Sequence, residues 1–214
     1  MKTTFTIKTN RIFPVLLLTL ALFLAAGKPS ADEAELARHI ISKAGRPGGL
    51  ILCVDSGDLA LQFAEQSPMM VVALQGDAES LRKTCETALQ KGLLCLDMYA
   101  VQSGLNNLPM GSHTADLLVL TGLDDHRLAE LDAEEILRVL TPINGKAWLG
   151  RAVSQGSGLS RKSLEQWAEN NSHEKAEIIE DGQGLWLVVT KPALEGATVW
   201  SVAHIGTTGV PAGS

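Results

Sequence analysis

The chain has 214 residues, 45% apolar and 20% charged, an ordinary globular balance with room for one α/β domain plus flanking segments. Its 18 basic residues include Lys2, Lys8, Arg11 and Lys28, so residues 32–214 retain 14 basic against all 24 acidic ones, a formal charge of −10. Such a chain has no basic surface with which to release counterions from a phosphate backbone, which disfavours nucleic acid and anionic membranes as partners.

Residues 1–31 read as a secretory signal peptide. A basic start precedes the apolar run Ile12–Ala26, broken only by Pro14 and Thr19, and the small residues Ala25-Ala26-Gly27 and Pro29-Ser30-Ala31 offer two cleavage sites. The alternative is an uncleaved anchor, but the run falls short of the roughly 20 residues a spanning helix needs. No cysteine follows it, which argues against a lipoprotein. The expectation is a periplasmic or secreted protein with no stable membrane insertion after cleavage.

Asp32–Ala44 begins with an acidic turn that favours the helix dipole. Leu36, Ala37, Ile40 and Ile41 then form an apolar stripe at helical spacing. Gly45-Arg46-Pro47-Gly48-Gly49 stops the helix. Leu50–Val54 is an unbroken apolar run, expected of a central parallel strand covered on both faces. The turn Asp55-Ser56-Gly57-Asp58 follows, and each of Asp55, Ser56 and Asp58 can cap the helix 59–66. In doubly wound α/β folds a ligand lies over this turn.

Ser67-Pro68 breaks the pattern. Met69–Leu74 is expected to be the second strand, ending at Gln75-Gly76-Asp77, and Ala78–Gln90 a helix with Leu81, Cys85, Ala88 and Leu89 inward. Leu93–Leu96 reads as the third strand, ending at Asp97, with a loop over 98–114. Ala115–Thr121 is the fourth strand and 122–127 its exit loop. Leu131–Leu140 is helical, and Lys146–Gly150 is the fifth strand. Ser160 caps a helix to Asn170. Ala176–Ile179 and Leu185–Thr190 read as an antiparallel hairpin with a loop of more than two residues. Strands alternating with helices before a terminal hairpin predict a Rossmann-like doubly wound, mostly parallel seven-stranded sheet with helices on both faces.

Catalytic and metal motifs are scarce. Cys53, Cys85 and Cys95 lack zinc spacing. Cys53 and Cys95 fall in apolar runs and read as small hydrophobes, though one disulfide is open to an exported chain. The five histidines form no H-E-x-x-H, and there is neither a G-x-S-x-G elbow nor a G-x-G-x-x-G. Asp55 and Asp58 would also face a dinucleotide pyrophosphate with like charge. His126, beside Asp124-Asp125, reads as a solvated loop residue. Asn170-Asn171-Ser172 fits a glycosylation acceptor. Trp148, Trp167 and Trp186 are expected to pack near the far edge of the sheet.

Asp97, Leu108-Pro109 and Ala115-Asp116-Leu117-Leu118-Val119, then Arg138-Val139-Leu140-Thr141-Pro142 and Gly145, resemble class I S-adenosylmethionine-dependent methyltransferases over residues 33–191. The resemblance implies a cofactor site at Asp55, Gly57, Asp58, Gln75, Asp77 and Asp97. Asp55 matches the acid opening the family's glycine-rich loop, but Gly57 is the only glycine of that turn. The family's ribose-binding carboxylate is replaced by Gln75, a weaker acceptor, with Asp77 two residues on. Asp97 matches the acid near the adenine. Lys191-Pro192, Val199-Trp200 and His204 further resemble a junction to a pyrroloquinoline-quinone-type β-propeller. That implies residues 192–214 are a linker or the start of a truncated propeller, and that this propeller or another protein is the partner.

Two functions follow. One is an exported methyltransferase-like domain with a degenerate site and no cofactor, acting as a structural or interaction module. The other is an active methyltransferase on a small molecule, using S-adenosylmethionine. On the first reading the turn 55–58 is expected to make helix-capping bonds and to leave no open cradle for a cofactor.

Overall fold

The computed structural model describes residues 31–45, 48–156, 158–171 and 176–194. The signal-peptide reading, the propeller junction from residue 195 onward and Ser172 of the glycosylation motif fall outside these residues. No described helix is long and apolar enough to cross a membrane.

The chain runs through α1 (Ala31–Ala44), β1 (Leu50–Val54), α2 (Gly57–Gln66), β2 (Met70–Gln75), α3 (Ala78–Gln90) and β3 (Met98–Gln102). Then come β4 (Leu117–Leu120), α4 (Asp125–Ala129), α5 (Ala133–Val139), β5 (Lys146–Ala152), a 3-10 turn (Val153–Gln155), α6 (Arg161–Asn170), β6 (Ala176–Asp181) and β7 (Gly184–Thr190). All seven strands join one sheet in the order β3-β2-β1-β4-β5-β7-β6. Strands β1 to β5 are parallel, and β7 runs antiparallel to both β5 and β6. This is the expected mostly parallel sheet with its terminal hairpin, and β1 lies inside it between β2 and β4.

Side chains alternate across a strand, so β1 feeds two cores. Ile51 and Cys53 pack with Leu36 and Ile40 of α1, Leu59 and Phe63 of α2, and Ala88 of α3. Leu52 and Val54 pack on the other face with Leu128 of α4, Ile136 and Val139 of α5, and Leu164 of α6. A run apolar at every position is what covering both faces demands. Trp148 of β5 and Trp186 of β7 are buried in the first core with ring centroids 6.0 Å apart, and His39 of α1 meets Trp148 edge-on.

Several expectations need correction. The third strand is Met98–Gln102, not Leu93–Leu96. The Leu93–Leu96 run instead closes the end of α3, where the Leu93 and Leu94 amides both donate to Ala88 O and Cys95 takes φ 63°. Edge strand β3 shows water Tyr99, Val101 and Gln102, so its polarity is mixed, and the neighbouring continuous apolar run imitates a strand better. Cys95 is therefore exposed in a turn rather than packed in a strand, and the three cysteines are free thiols. Helix α3 is rotated from the expected face: Thr84 and Ala88 are buried, while Leu89 is 68% exposed. The exit loop after β4 contains the short helix α4, with His126 exposed on it. The hairpin loop is only Gly182-Gln183, because β6 runs on to Asp181 and β7 starts at Gly184.

Candidate functional site

From β1 the chain steps outward to β2 and β3, then returns to place β4 on the other side of β1. The carboxyl ends of β1 and β4 thus flank a topological switch point, where open α/β sheets hold ligands. The residues over this edge come from the turn after β1, the turn after β2 and helix α4.

Asp55 is the first residue past β1, and its amide extends the sheet ladder to Leu74 O at 2.8 Å. Its φ is 55°, a left-handed conformation uncommon for a residue with a Cβ. The side chain bridges two other loops. Oδ1 accepts from the Gly76 amide at 3.1 Å, and Oδ2 accepts from Arg127 Nη2 at 2.6 Å. Arg127 Nη1 also donates to Gly122 O at 3.3 Å, so the guanidinium is fixed at both ends. Asp55 therefore spans the strand ends and does not cap α2. The cap is Ser56, whose Oγ accepts from Leu59 N at 3.4 Å. Asp58, in the first turn, faces Lys83 at 4.0 Å.

Gly57 starts α2 against α3. A Cβ at this position would lie 2.1 Å from Thr84 Oγ1. Thr84 is buried, so only glycine lets the two helices approach this closely. Gln75 ends β2 at 3% exposure, and its Nε2 has no hydrogen-bond partner among the described residues. Asp77 caps α3 by accepting from Glu79 N at 3.0 Å, Ser80 N at 2.8 Å and Ser80 Oγ at 2.7 Å. The Ser80 amide, then the Ser80 hydroxyl, hold the Asp77 carboxyl below the usual carboxylate range.

Five of the six expected positions, Asp55, Gly57, Asp58, Gln75 and Asp77, therefore meet at one edge. Asp97 does not. It precedes β3, its carbonyl accepts from Val71 N, and it stands at the amino ends of the parallel strands. The misplaced third strand is the cause. Gln102 ends β3 where an acid was expected, and its amide donates to Gly76 O at 3.5 Å.

A cavity of about 190 Å³ opens here, lined by Glu33, Asp55, Gly57, Asp58, Gln75 and Thr84 among others. Burial, then Asp58 and Asp32, push the Glu33 carboxyl up from its ordinary value. Burial likewise pushes the Cys53 thiol far up, with Glu33 and Asp55 adding to the shift, so it is no nucleophile. A larger cavity of about 450 Å³ lies between α4 and α6, lined by Leu128, Ser163 and Trp167 among others. Among the described residues no group of three or more His, Cys, Asp or Glu side chains could hold a metal ion.

Arg127, Thr84 and Glu33 were not legible as site residues. Arg127 is 72 positions from Asp55 in sequence, and nothing local marks such a pair.

Strand order, the reversed β7 and helices on both faces define the Rossmann-like fold of class I S-adenosylmethionine-dependent methyltransferases. Solved structures with this fold match the chain. A proposed S-adenosyl-L-methionine-dependent methyltransferase of Methanococcus maripaludis aligns with TM-score 0.65 at 19% identity, over 92% of this chain and 100% of its own. An S-adenosylmethionine-dependent methyltransferase of Aquifex aeolicus gives 0.56 at 18%, over 83% and 98%. The [4+2]-cyclase SpnF gives 0.54 at 18%, over 72% and 63%. These identities carry the fold alone. No family model and no curated protein matches the sequence.

Proposed function

We propose that this is a methyltransferase-like domain with a degenerate cofactor site, serving as a structural or interaction module. The observation that carries this is the Asp55 bridge. One carboxylate ties the turn after β2 to the helix after β4, across the place a ligand would enter. Three further features agree. Thr84 fills the space over Gly57 that a closely approaching ligand would take. Gln75 offers an amide where a charged acceptor would hold two ribose hydroxyls, and Asp77 is spent on its own helix. The cavity of about 190 Å³ is smaller than the roughly 300–1,000 Å³ of small-molecule sites. The residues do not fit S-adenosylmethionine, and no methyl-transfer step is assigned to them. Nor is the fold bound to methyl transfer, since one of its matches is a [4+2]-cyclase.

The reading extends to export, on the strength of residues 1–31, and to a β-propeller or another protein as partner, on the resemblance at Lys191-Pro192, Val199-Trp200 and His204. Calorimetric titration with S-adenosylmethionine tests the degenerate site. The expected result is no saturable heat, whereas micromolar binding would overturn it in favour of an active methyltransferase. Export is checked by mass spectrometry of the secreted protein, which should lack residues 1–27 at least.

A further inference from the structure

At the opposite edge of the sheet, where β7 ends beside the start of β5, lies Lys191. At 6% exposure it is the only buried charged side chain among the described residues. Its amide donates to Gly145 O at 2.9 Å, and the Ile143 amide donates to Pro192 O at 3.3 Å, so residues 191 and 192 lie against the turn 141–145. The ammonium reaches under that turn to the end of α5. It donates to Leu137 O and Arg138 O, carbonyls at the negative end of the helix, where a cation is favoured. Its third partner is His113 Nδ1 at 2.7 Å.

An ammonium has donors only, so His113 Nδ1 must present its lone pair and the ring proton must sit on Nε2. His113 is exposed, and its own amide donates to Arg138 O at 2.8 Å. The surrounding charges give Lys191 little help. Arg138 is paired with Glu135 at 2.6 Å. Asp116 accepts from Leu50 N and Thr141 Oγ1. Lys146 turns to Ala44 O at 3.4 Å. No carboxylate among the described residues pairs with Lys191, and burial, with the nearby Arg138 charge, holds its ammonium below the usual lysine range.

We propose that Lys191 and His113 form a proton-operated latch on residues 191–194, where the chain leaves the last strand. With His113 neutral, Lys191 bridges the ring and α5 and fixes the direction in which the chain departs. A proton on Nδ1 removes the acceptor and sets two cations within hydrogen-bond distance, so the segment lifts while the sheet stays folded. The latch is independent of the cofactor site, at the other end of the strands.

Hydrogen exchange of the Lys191 and Ile143 amides in the full chain tests it, from about pH 8 to about pH 5, a range in which histidine titrates. After correction for the intrinsic pH dependence of exchange, protection of both amides should fall about tenfold or more on acidification, while the β1 amides stay protected. In His113→Gln, whose amide oxygen can accept from Lys191 but takes up no proton, protection should be level across the range. A parallel fall in variant and wild type would overturn the proposal. Ring nitrogen NMR gives a check that needs no variant: at about pH 8 the His113 proton should sit on Nε2, and a proton on Nδ1 would equally overturn it.

Discussion

Arg127 Nη2 donates to Asp55 Oδ2 at 2.6 Å, joining the helix after β4 to the turn after β1. The pair spans the switch point of the sheet, and both side chains keep about a third of their surface or slightly less in water. An ion pair this exposed contributes roughly 0.2–1 kcal/mol. Arg127→Ala should therefore lower stability by no more than that in urea denaturation. It should also leave S-adenosylmethionine unbound, because Thr84 still covers Gly57. A variant that binds the cofactor would show that the ion pair alone closes the site.

Gly57→Ala should destabilise by roughly 1–3 kcal/mol, the cost of overpacking, since the new Cβ would meet Thr84 Oγ1 at 2.1 Å. Adding Thr84→Ala should return part of that loss, giving a favourable coupling in a double-mutant cycle. Strict additivity of the two changes would show that the helices part by another route.

Trp148 and Trp186 are buried with indole nitrogens that have no hydrogen-bond partner among the described residues. Trp148→Ala should cost roughly 3–5 kcal/mol. Trp148→Phe should cost far less, because it keeps most of the ring volume and gives up no indole hydrogen bond. Chemical denaturation of both variants measures the difference, and equal losses would point to a bond formed by the indole N–H.

Glu33 and Asp77 predict opposite responses to acid. The Glu33 carboxyl is raised above its ordinary value of 4.5 by burial, Asp58 and Asp32. Its contribution to stability is fully present below 4.5 and is lost as pH rises through its higher folded value. Asp77 is lowered from 3.8, so its contribution is present above 3.8 and lost as pH falls through its folded value. Glu33→Gln should therefore melt higher than wild type at neutral pH, with the gap closing on acidification. Asp77→Asn should flatten the acid limb instead. Thermal melts across the acid range check both, and a Glu33→Gln variant with no gain at neutral pH would contradict the Glu33 assignment.

Asp97→Ala should leave the opposite edge untouched. Asp97 stands before β3, at the amino ends of the parallel strands. Backbone amide spectra should move only near β3 and the turn after α3. Shifts at Asp55 or Gln75 would contradict that placement.

The sequence by itself determined the elements whose burial is complete or whose ends are capped. Leu50–Val54 is apolar throughout because both of its faces are covered, and Ser56 and Ser160 stand immediately before the helices they cap. It also determined the order of elements, and with it the fold class and the edge at which Asp55, Gly57, Asp58, Gln75 and Asp77 gather. The third strand escaped because edge strand β3 is half in water, while the apolar run 93–96 was needed to close a helix end rather than to fill the sheet. That single shift carried Asp97 to the wrong edge. Only the tertiary structure decided that Asp55 bridges to Arg127 rather than capping its own helix, that Thr84 sits on Gly57, and that Lys191 reaches His113 across 78 positions. Each is a contact between segments distant in the chain. Local pattern records how a segment folds against its immediate neighbours, and it carries no trace of which remote side chain meets a given carboxylate once the sheet is assembled.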